Sequence, residues 1–313
     1  MSKRIGIVGG AEEPHCVHMA ELLRRRGAEV VVLDTNRFPT RQDLSYLDGE
    51  ALLGDDALHD VSALYVRTVF YSLPFFELDP ALGQREGGEV LFGDWHLDYT
   101  AERERQSFLT SFLRTLELRG VKAVNPIASF DLHYLKLLQL ALLARAGVPV
   151  PRTCSTNDPE RLAAFVEEVG RVVYKPVTGG ASCQRVTDRD LVADRLDRLR
   201  TAPAIFQEEI PGLNVRVYAV GDQVVSATII HAEDLDYRGT ETGFERLDLP
   251  TDVAEMVVRA KDLCGMHFTG ADLRLTPEGQ YVLLECNPSA MFLGMVQATG
   301  DPIDEALADY LLG

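Results

Sequence analysis

The side chains best placed to do chemistry lie near the C-terminal end, in Gly270–Pro288, GADLRLTPEGQYVLLECNP. Two strand-like runs, Ala271–Leu275 and Gln280–Cys286, flank a Thr276-Pro277-Glu278-Gly279 turn. With the turn closed by Thr276 and Gly279, the spacing sets Asp272 across from Leu283. Alternation along a strand then puts Asp272, Leu283, Glu285 and Asn287 on one face. Two carboxylates and an amide oxygen within a few ångströms form an oxygen-only donor set. Such a set suits Mg²⁺, which keeps some water and also takes substrate phosphates. The plain alternative is a solvated hairpin edge. The opposite face (Ala271, Leu273, Leu275, Tyr281, Leu284, Cys286) is largely apolar and reads as packed, and acids on a packed hairpin need a reason.

Cations complement these acids. In RVVYKPVTGGASCQRV (171–186) a β-branched strand delivers Lys175 to a Gly179-Gly180 loop. Backbone N–H groups of such a loop can approach an anion, and the ammonium adds charge. GxxxxGK[ST] is absent, so this is not a Walker A loop, and a β-hairpin turn would give the same residues. Lys136 sits among leucines early in a helix, where a snorkelling surface lysine is the plain reading. Arg216 stands inside the apolar run VRVYAV and should meet a polar site or a buried acid. Arg67, in another apolar strand, reads as a salt-bridged structural residue in preference to a substrate contact. Cys183 and Cys286 read as ordinary buried thiols, and no side-chain nucleophile is required.

The framework that must hold these residues is that of a globular protein. The chain has 313 residues, 46% hydrophobic and 25% charged. That length is too great for one core and implies two or three subdomains. The formal charge of −17 argues against a general nucleic-acid or anionic-membrane binder. No apolar run reaches the roughly 18 residues of a membrane span. Five scattered cysteines without CxxC spacing predict reduced thiols in a cytoplasm and no zinc site.

In chain order, RIGIVGG (4–10), a helix at about His15–Arg26 and a strand at Glu29–Leu33 make a β–α–β start. The third glycine of GxGxxG is missing, so no bound dinucleotide is expected. A strand at Ala63–Val69, a mixed loop over 77–98 and a helix from Thr100 to Arg119 lead to a short strand and Asn125-Pro126. Further on, helices are predicted at Asp131–Ala146, from Pro159 to Gly170, at Asp188–Arg200, Pro250–Leu263 and 302–312. Strands are predicted at Arg152–Ser155, Ala204–Ile210, Asn214–Val220 and Gln223–Ile230. Residues 231–249 read as a polar, mobile loop. The expected domains are 1–124, an N-terminal α/β domain; 125–204, a central lid subdomain; and 205–313, a C-terminal subdomain with the metal site.

This ordered series resembles the ATP-grasp ligases, in particular the RimK-like glutamate ligase and glutathione-synthetase branch, over residues 125–312. The resemblance implies an α/β fold that is α+β in its ATP-binding part, with an N-terminal pre-ATP-grasp domain. It implies ATP and Mg²⁺ (or Mn²⁺) as cofactors. Lys136 and Lys175 stand where the family's two lysines hold ATP phosphates. Gln207-Glu208-Glu209-Ile210 matches the adenine hinge. Asn214-Val215-Arg216 matches a ribose-side acid followed by an arginine, with Asn in place of Asp. Asp236-Tyr237-Arg238 resembles the family's Asp-aromatic-Arg loop, which would bring Arg238 to the phosphates or an acyl phosphate. Asp272, Glu285 and Asn287 match the metal-ligand set.

Within the branch, AERERQSFLTSFLRTL with VNP, TNDPERLAAF and ATGDPIDEALADYLL are most similar to the macrocyclases that mature graspetides. PSAMFLGM departs from the Gly-Gln-aromatic usual there after the asparagine, and KPVTGGASC is closer to RimK. The implied activity is a carboxylate–amine or carboxylate–hydroxyl ligase working through an acyl phosphate, with an amino acid or ribosomal peptide as acceptor. The implied assembly is a homodimer or homotetramer in the cytoplasm. Arg67, Arg216 and Arg238 are candidates for reading a carboxylate-rich substrate that an acidic protein would otherwise repel. The rival readings are a non-catalytic peptide-binding scaffold that keeps the ATP-grasp shell, and a small-molecule kinase or ligase of the same fold.

Overall fold

The computed structural model describes residues 2–69, 95–177, 182–233 and 240–313. They form two compact units, 1–127 with 311–313, and 128–310.

The first unit opens with β1 (Arg4–Gly9), α1 (Pro14–Arg25) and β2 (Glu29–Asp34). Next comes an antiparallel meander, β3 (Leu44–Leu47), β4 (Glu50–Leu53) and β5 (Asp56–Ala57), then β6 (Val61–Val66), α2 (Trp95–Leu118) and β7 (Lys122–Val124). Strands β2-β1-β6-β7 pair in parallel. β1 is buried at every position, as both-face coverage of a parallel strand requires. α1 starts where Glu13 accepts the Cys16 N–H at 2.9 Å and Pro14 supplies a pre-set φ. Arg67 is salt-bridged to Glu13 at 3.1 Å. The sequence did not announce the meander, whose strands lack a regular alternation of apolar residues. Phe70–Phe76 and most of the expected 77–98 loop lie outside the described residues. α2 begins five residues before Thr100.

The second unit begins with α3 (Asp131–Tyr134) and α4 (Lys136–Arg145). One helix was expected here. Leu135, at φ −92° and ψ 53°, breaks it, and the chain turns by 101°. Lys136 thereby becomes the first residue of α4. A four-stranded antiparallel sheet follows, built from β8 (Thr153–Thr156), β9 (Val172–Lys175), β10 (Gln184–Arg185) and β11 (Ala204–Glu208) in the order β10-β9-β11-β8. α5 (Pro159–Val169) packs Leu162 against Val172 and Phe206, and α6 is a single turn, Ala193–Leu196, where a longer helix was expected. β11 lies inside this sheet, so its chain runs through Glu208, past residue 204.

The larger sheet contains β12 (Leu213–Val220), β13 (Gln223–Ala232), β14 (Glu241–Arg246), β15 (Phe268–Leu275) and β16 (Tyr281–Asn287), in the order β14-β13-β12-β15-β16. α7 (Thr251–Leu263) covers one face, packing Val253, Val257 and Ala260 onto Val215, Val217, Ala227, Ile229, Leu273 and Leu283. Each such Val, Ile or Leu side chain contributes roughly 1.5–3 kcal/mol on burial. α8 (Leu293–Thr299) and α9 (Ile303–Leu312) close the chain. β14 corrects the reading of 231–249 as a loop: its residues are polar and mostly exposed, and only pairing with β13 makes them a strand. Among the described residues no single helix is long and apolar enough to cross a membrane.

The opening hairpin forms, with one correction. Asp272 pairs with Glu285, not Leu283, because Leu284 is an extra residue that bulges β16 between the Leu273–Leu283 and Asp272–Glu285 pairs. The bulge flips the alternation. Leu283 therefore enters the core with Leu273, while Glu285 and Asn287 stay on the polar face with Asp272.

Candidate active site

The polar face of the larger sheet is built from cross-strand rows. Arg216 on β12 pairs with Asp272 on β15, which pairs with Glu285 on β16. The row beside it is Tyr218, Gly270 and Asn287, and the row on the other side begins with Asn214 and Arg274. Directly opposed residues share a face, so register alone brings these groups together.

Within the central row, Arg216 Nη1 donates to Asp272 Oδ1 at 2.6 Å. Asn287 Nδ2 donates to Asp272 Oδ2 at 2.9 Å and to the Gly270 carbonyl at 3.2 Å. Both partners are acceptors, so the Asn287 amide turns its nitrogen inward and leaves Oδ1 as the outward atom. The Arg216 guanidinium also lies 5.3 Å from the centre of the Tyr218 ring. Tyr218 in turn donates its hydroxyl to the Met291 carbonyl at 2.5 Å. Gly270 leaves the space this requires: a Cβ there would sit 2.5 Å from Arg216 Nη2 and 2.7 Å from the Ala290 methyl.

Glu285 is held far from its ordinary ionisation. Burial alone would push its carboxyl up. Lys136, at 2.5 Å from Nζ to Oε2, together with Lys175 and His133, more than offsets that and holds it at about 2. Lys136 reaches it because the break at Leu135 starts α4 there. One turn on, buried Gln139 clamps α4 to β16: its Nε2 donates to the Cys286 carbonyl at 3.0 Å, and its Oε1 accepts the Cys286 N–H at 2.8 Å. Lys175 ends β9, where burial pushes its ammonium down, Glu285 pulls it back up and Lys136 adds to the lowering. Among the described residues its Nζ has no hydrogen-bond partner. Its glycine loop, Thr178–Ala181, lies outside the described residues, as do Asp236, Tyr237 and Arg238.

At the end of β11, Gln207 donates to Thr153 Oγ1 at 3.0 Å. Glu208 Oε2 accepts the Arg152 N–H at 3.4 Å. Glu209 accepts with both oxygens from one edge of the Arg185 guanidinium, Nε and Nη2, at 2.9 Å each. Arg274 donates to the Ile210 carbonyl at 3.0 Å and to Asn214 Oδ1. Sequence reading missed Tyr218, Gln139 and Arg274. Arg274 was accessible in principle, since it lies two residues beyond Asp272 and so shares its face.

Among the described residues no cluster of three or more His, Cys, Asp or Glu side chains could hold a metal ion. The donor chemistry nonetheless fits a Mg²⁺-type ion that brings its own water and phosphate ligands. Asp272 and Glu285 face each other across strands, Asn287 presents its oxygen, and every donor is oxygen.

The family model for the RimK-like ATP-grasp domain matches residues 135–311. The chain is 34% identical to the ATP-grasp ligase PsnB, solved with a minimal precursor, at a TM-score of 0.87, covering 100% of this chain and 99% of that one. The macrocyclase MdnC of Microcystis aeruginosa MRC, solved with the precursor peptide MdnA, shares the fold at a TM-score of 0.81 and 24% identity, over 99% of both chains. A probable alpha-L-glutamate ligase of Enterobacter sp. is 29% identical over 64% of this chain and 71% of its own length. The chain belongs to the RimK-like ATP-grasp ligase family.

Proposed function

We propose that this protein joins a carboxylate of a peptide to an amine or hydroxyl of the same peptide at the expense of ATP, closing a ring in a ribosomally made precursor. The observation that carries the reading is the full-length likeness to PsnB, a ligase solved with its precursor, at 34% identity.

In this reading Lys136 and Lys175 hold the ATP phosphates. The Lys136–Glu285 ion pair holds that lysine in place until the nucleotide arrives. Asp272, Glu285 and Asn287 hold Mg²⁺ or Mn²⁺. When bound, the ion supplies charge neutralisation for the phosphates. The substrate carboxylate oxygen attacks the γ-phosphorus, the bond to the β,γ-bridging oxygen breaks, and ADP leaves. The amine or hydroxyl then attacks the acyl carbon, inorganic phosphate leaves, and the nucleophile's proton passes to solvent. The net change in the peptide is loss of one water. Arg216, anchored by Asp272 and Tyr218, and Arg238 offset the charge that develops on the transferring group. The hinge residues Gln207, Glu208, Glu209 and Ile210 hold the base, and Asn214 lies at the sugar. The protein's task is positioning and exclusion of water from the acyl phosphate.

The test is mass spectrometry of acidic peptides containing Ser, Thr or Lys after incubation with Mg²⁺-ATP. A loss of one water per ring, matched by ADP, supports the reading. A gain of one glutamyl residue points instead to RimK-like addition. No ATP-dependent change in any peptide or amino acid leaves the scaffold reading.

A further inference from the structure

The row of Arg216, Asp272 and Glu285 runs on across the sheet in the other direction. Arg216 on β12 pairs with Thr228 on β13, and Thr228 pairs with Arg246 on β14. Directly opposed residues share a face, so Arg246 stands on the polar face with the candidate site. Two strand spacings, roughly 10 Å, separate its backbone from that of Arg216. Thr228, fully buried, fills the step between them.

Arg246 is held but not enclosed. α8 ends at Gly300, at φ 69°, and the next residue, Asp301, meets Arg246 Nη2 at 2.6 Å. The Asp301 side chain is 13% exposed and that of Arg246 62%. Asp301 is seated without the arginine: its Oδ2 accepts from Ser226 Oγ at 2.7 Å, and its N–H donates to Thr299 Oγ1 at 3.2 Å. A surface ion pair adds little to stability, so fastening the chain end is a weak reason for an arginine here. What the pair supplies is aim. It fixes one nitrogen of a five-donor fork and leaves most of the side chain open to solvent on the face that carries the site. In a chain of net charge −17, an outward arginine on that face is a place where an acidic peptide is attracted.

We propose that Arg246 is a specificity-determining residue. It binds a second carboxylate of the acidic peptide, roughly three residues along an extended chain from the one activated beside Arg216. The inference rests on the reading that this face activates a peptide carboxylate, and it adds a requirement on the substrate: two acids at a set spacing.

The test is steady-state kinetics of ring closure on an acidic peptide that the wild type cyclises, and on versions of it in which each other Asp or Glu in turn becomes Asn or Gln. One such change, at the stated spacing, is expected to raise the wild-type KM about tenfold and leave kcat in place. Arg246→Gln is expected to raise KM for the intact peptide by the same factor, after which that peptide change adds nothing. Arg246→Lys should recover part of the loss, and the KM for ATP should not move in either variant. Asp301→Asn removes the ion pair but keeps the arginine, and is expected to raise the peptide KM less than Arg246→Gln does. Arg246→Gln effects that fall on kcat, that multiply with every peptide change, or that Asp301→Asn reproduces in full would overturn the inference and leave the ligase reading standing. A wild type that closes no ring in any acidic peptide would overturn that reading and the inference with it.

Discussion

In the first unit the central strand β1 is buried at all six positions and apolar beyond Arg4, whereas β12 in the second unit sets Val215, Val217 and Ala219 into the apolar core on one face and carries Asn214 with the buried polar side chains Arg216 and Tyr218 on the other. A parallel strand covered on both sides confines its polar groups to its ends, as β1 does with Arg4 at its start. Its charged neighbours collect beyond its end, as Glu13 and Arg67 do. An antiparallel sheet with one apolar and one polar face can carry chemistry along the strands themselves. There, register fixes the spacing to within a fraction of an ångström, and loops need not be trusted with it.

The sharpest way to break this contrast is to remove charge from the central row and its lysines. Lys175→Ala and Glu285→Ala are each expected to lower ATP turnover by about a hundredfold or more. Their circular dichroism should remain that of the wild type. Folded variants with normal turnover would place the chemistry elsewhere.

Gly270→Ala tests whether register and close packing hold Arg216. The added methyl falls on the guanidinium and on Ala290. Turnover should fall by about ten- to a hundredfold, and stability to urea by about 1–3 kcal/mol. A neutral substitution would show that Arg216 is free to move.

Glu285→Gln sharpens the electrostatic side. The folded carboxyl is held at about 2, below its ordinary 4.5, so its charge stabilises the fold fully above the ordinary value. That stabilisation is lost as pH falls toward 2. The variant should be less stable than the wild type by about 2–3 kcal/mol at neutral pH, with the gap narrowing below about pH 4.5. A gap independent of pH would mean that the pairing with Lys136 and Lys175 contributes little.

The smallest effect belongs to the first unit. Buried Arg4 donates to Asp60 at 2.7 Å and to the Ala57 carbonyl at 3.1 Å. Arg4→Met should cost about 1–2 kcal/mol in urea denaturation and leave the ADP release rate unchanged. A matching loss of turnover would blur the division between the two units.

What was legible in the sequence follows from how local each cause is. Alternation in two short runs around Thr276–Gly279 was enough to group Asp272, Glu285 and Asn287. The bulge at Leu284 was not legible, because it depends on how β16 pairs with β15 and how Leu283 is drawn into the core. The break at Leu135 was hidden in an unbroken run of helix formers, and it decides where Lys136 points. β14 has too few apolar residues to declare itself, and its strand exists only through pairing with β13. Arg274 obeyed the alternation rule, but its meaning needed the register that places it opposite Asn214. Periodicity and turn chemistry thus identified the groups. Pairing between distant segments settled their geometry.

The most direct test of the central claim is a crystal structure with Mg²⁺ and a non-hydrolysable ATP analogue. The account predicts the γ-phosphate between Lys136 and Lys175. It also predicts the ion at roughly 2.0–2.1 Å from oxygens of Asp272 or Glu285, with the Asn287 oxygen turned toward it. A nucleotide bound at the strand ends of the first unit, or phosphates lying away from the Arg216–Asp272–Glu285 row, would contradict it.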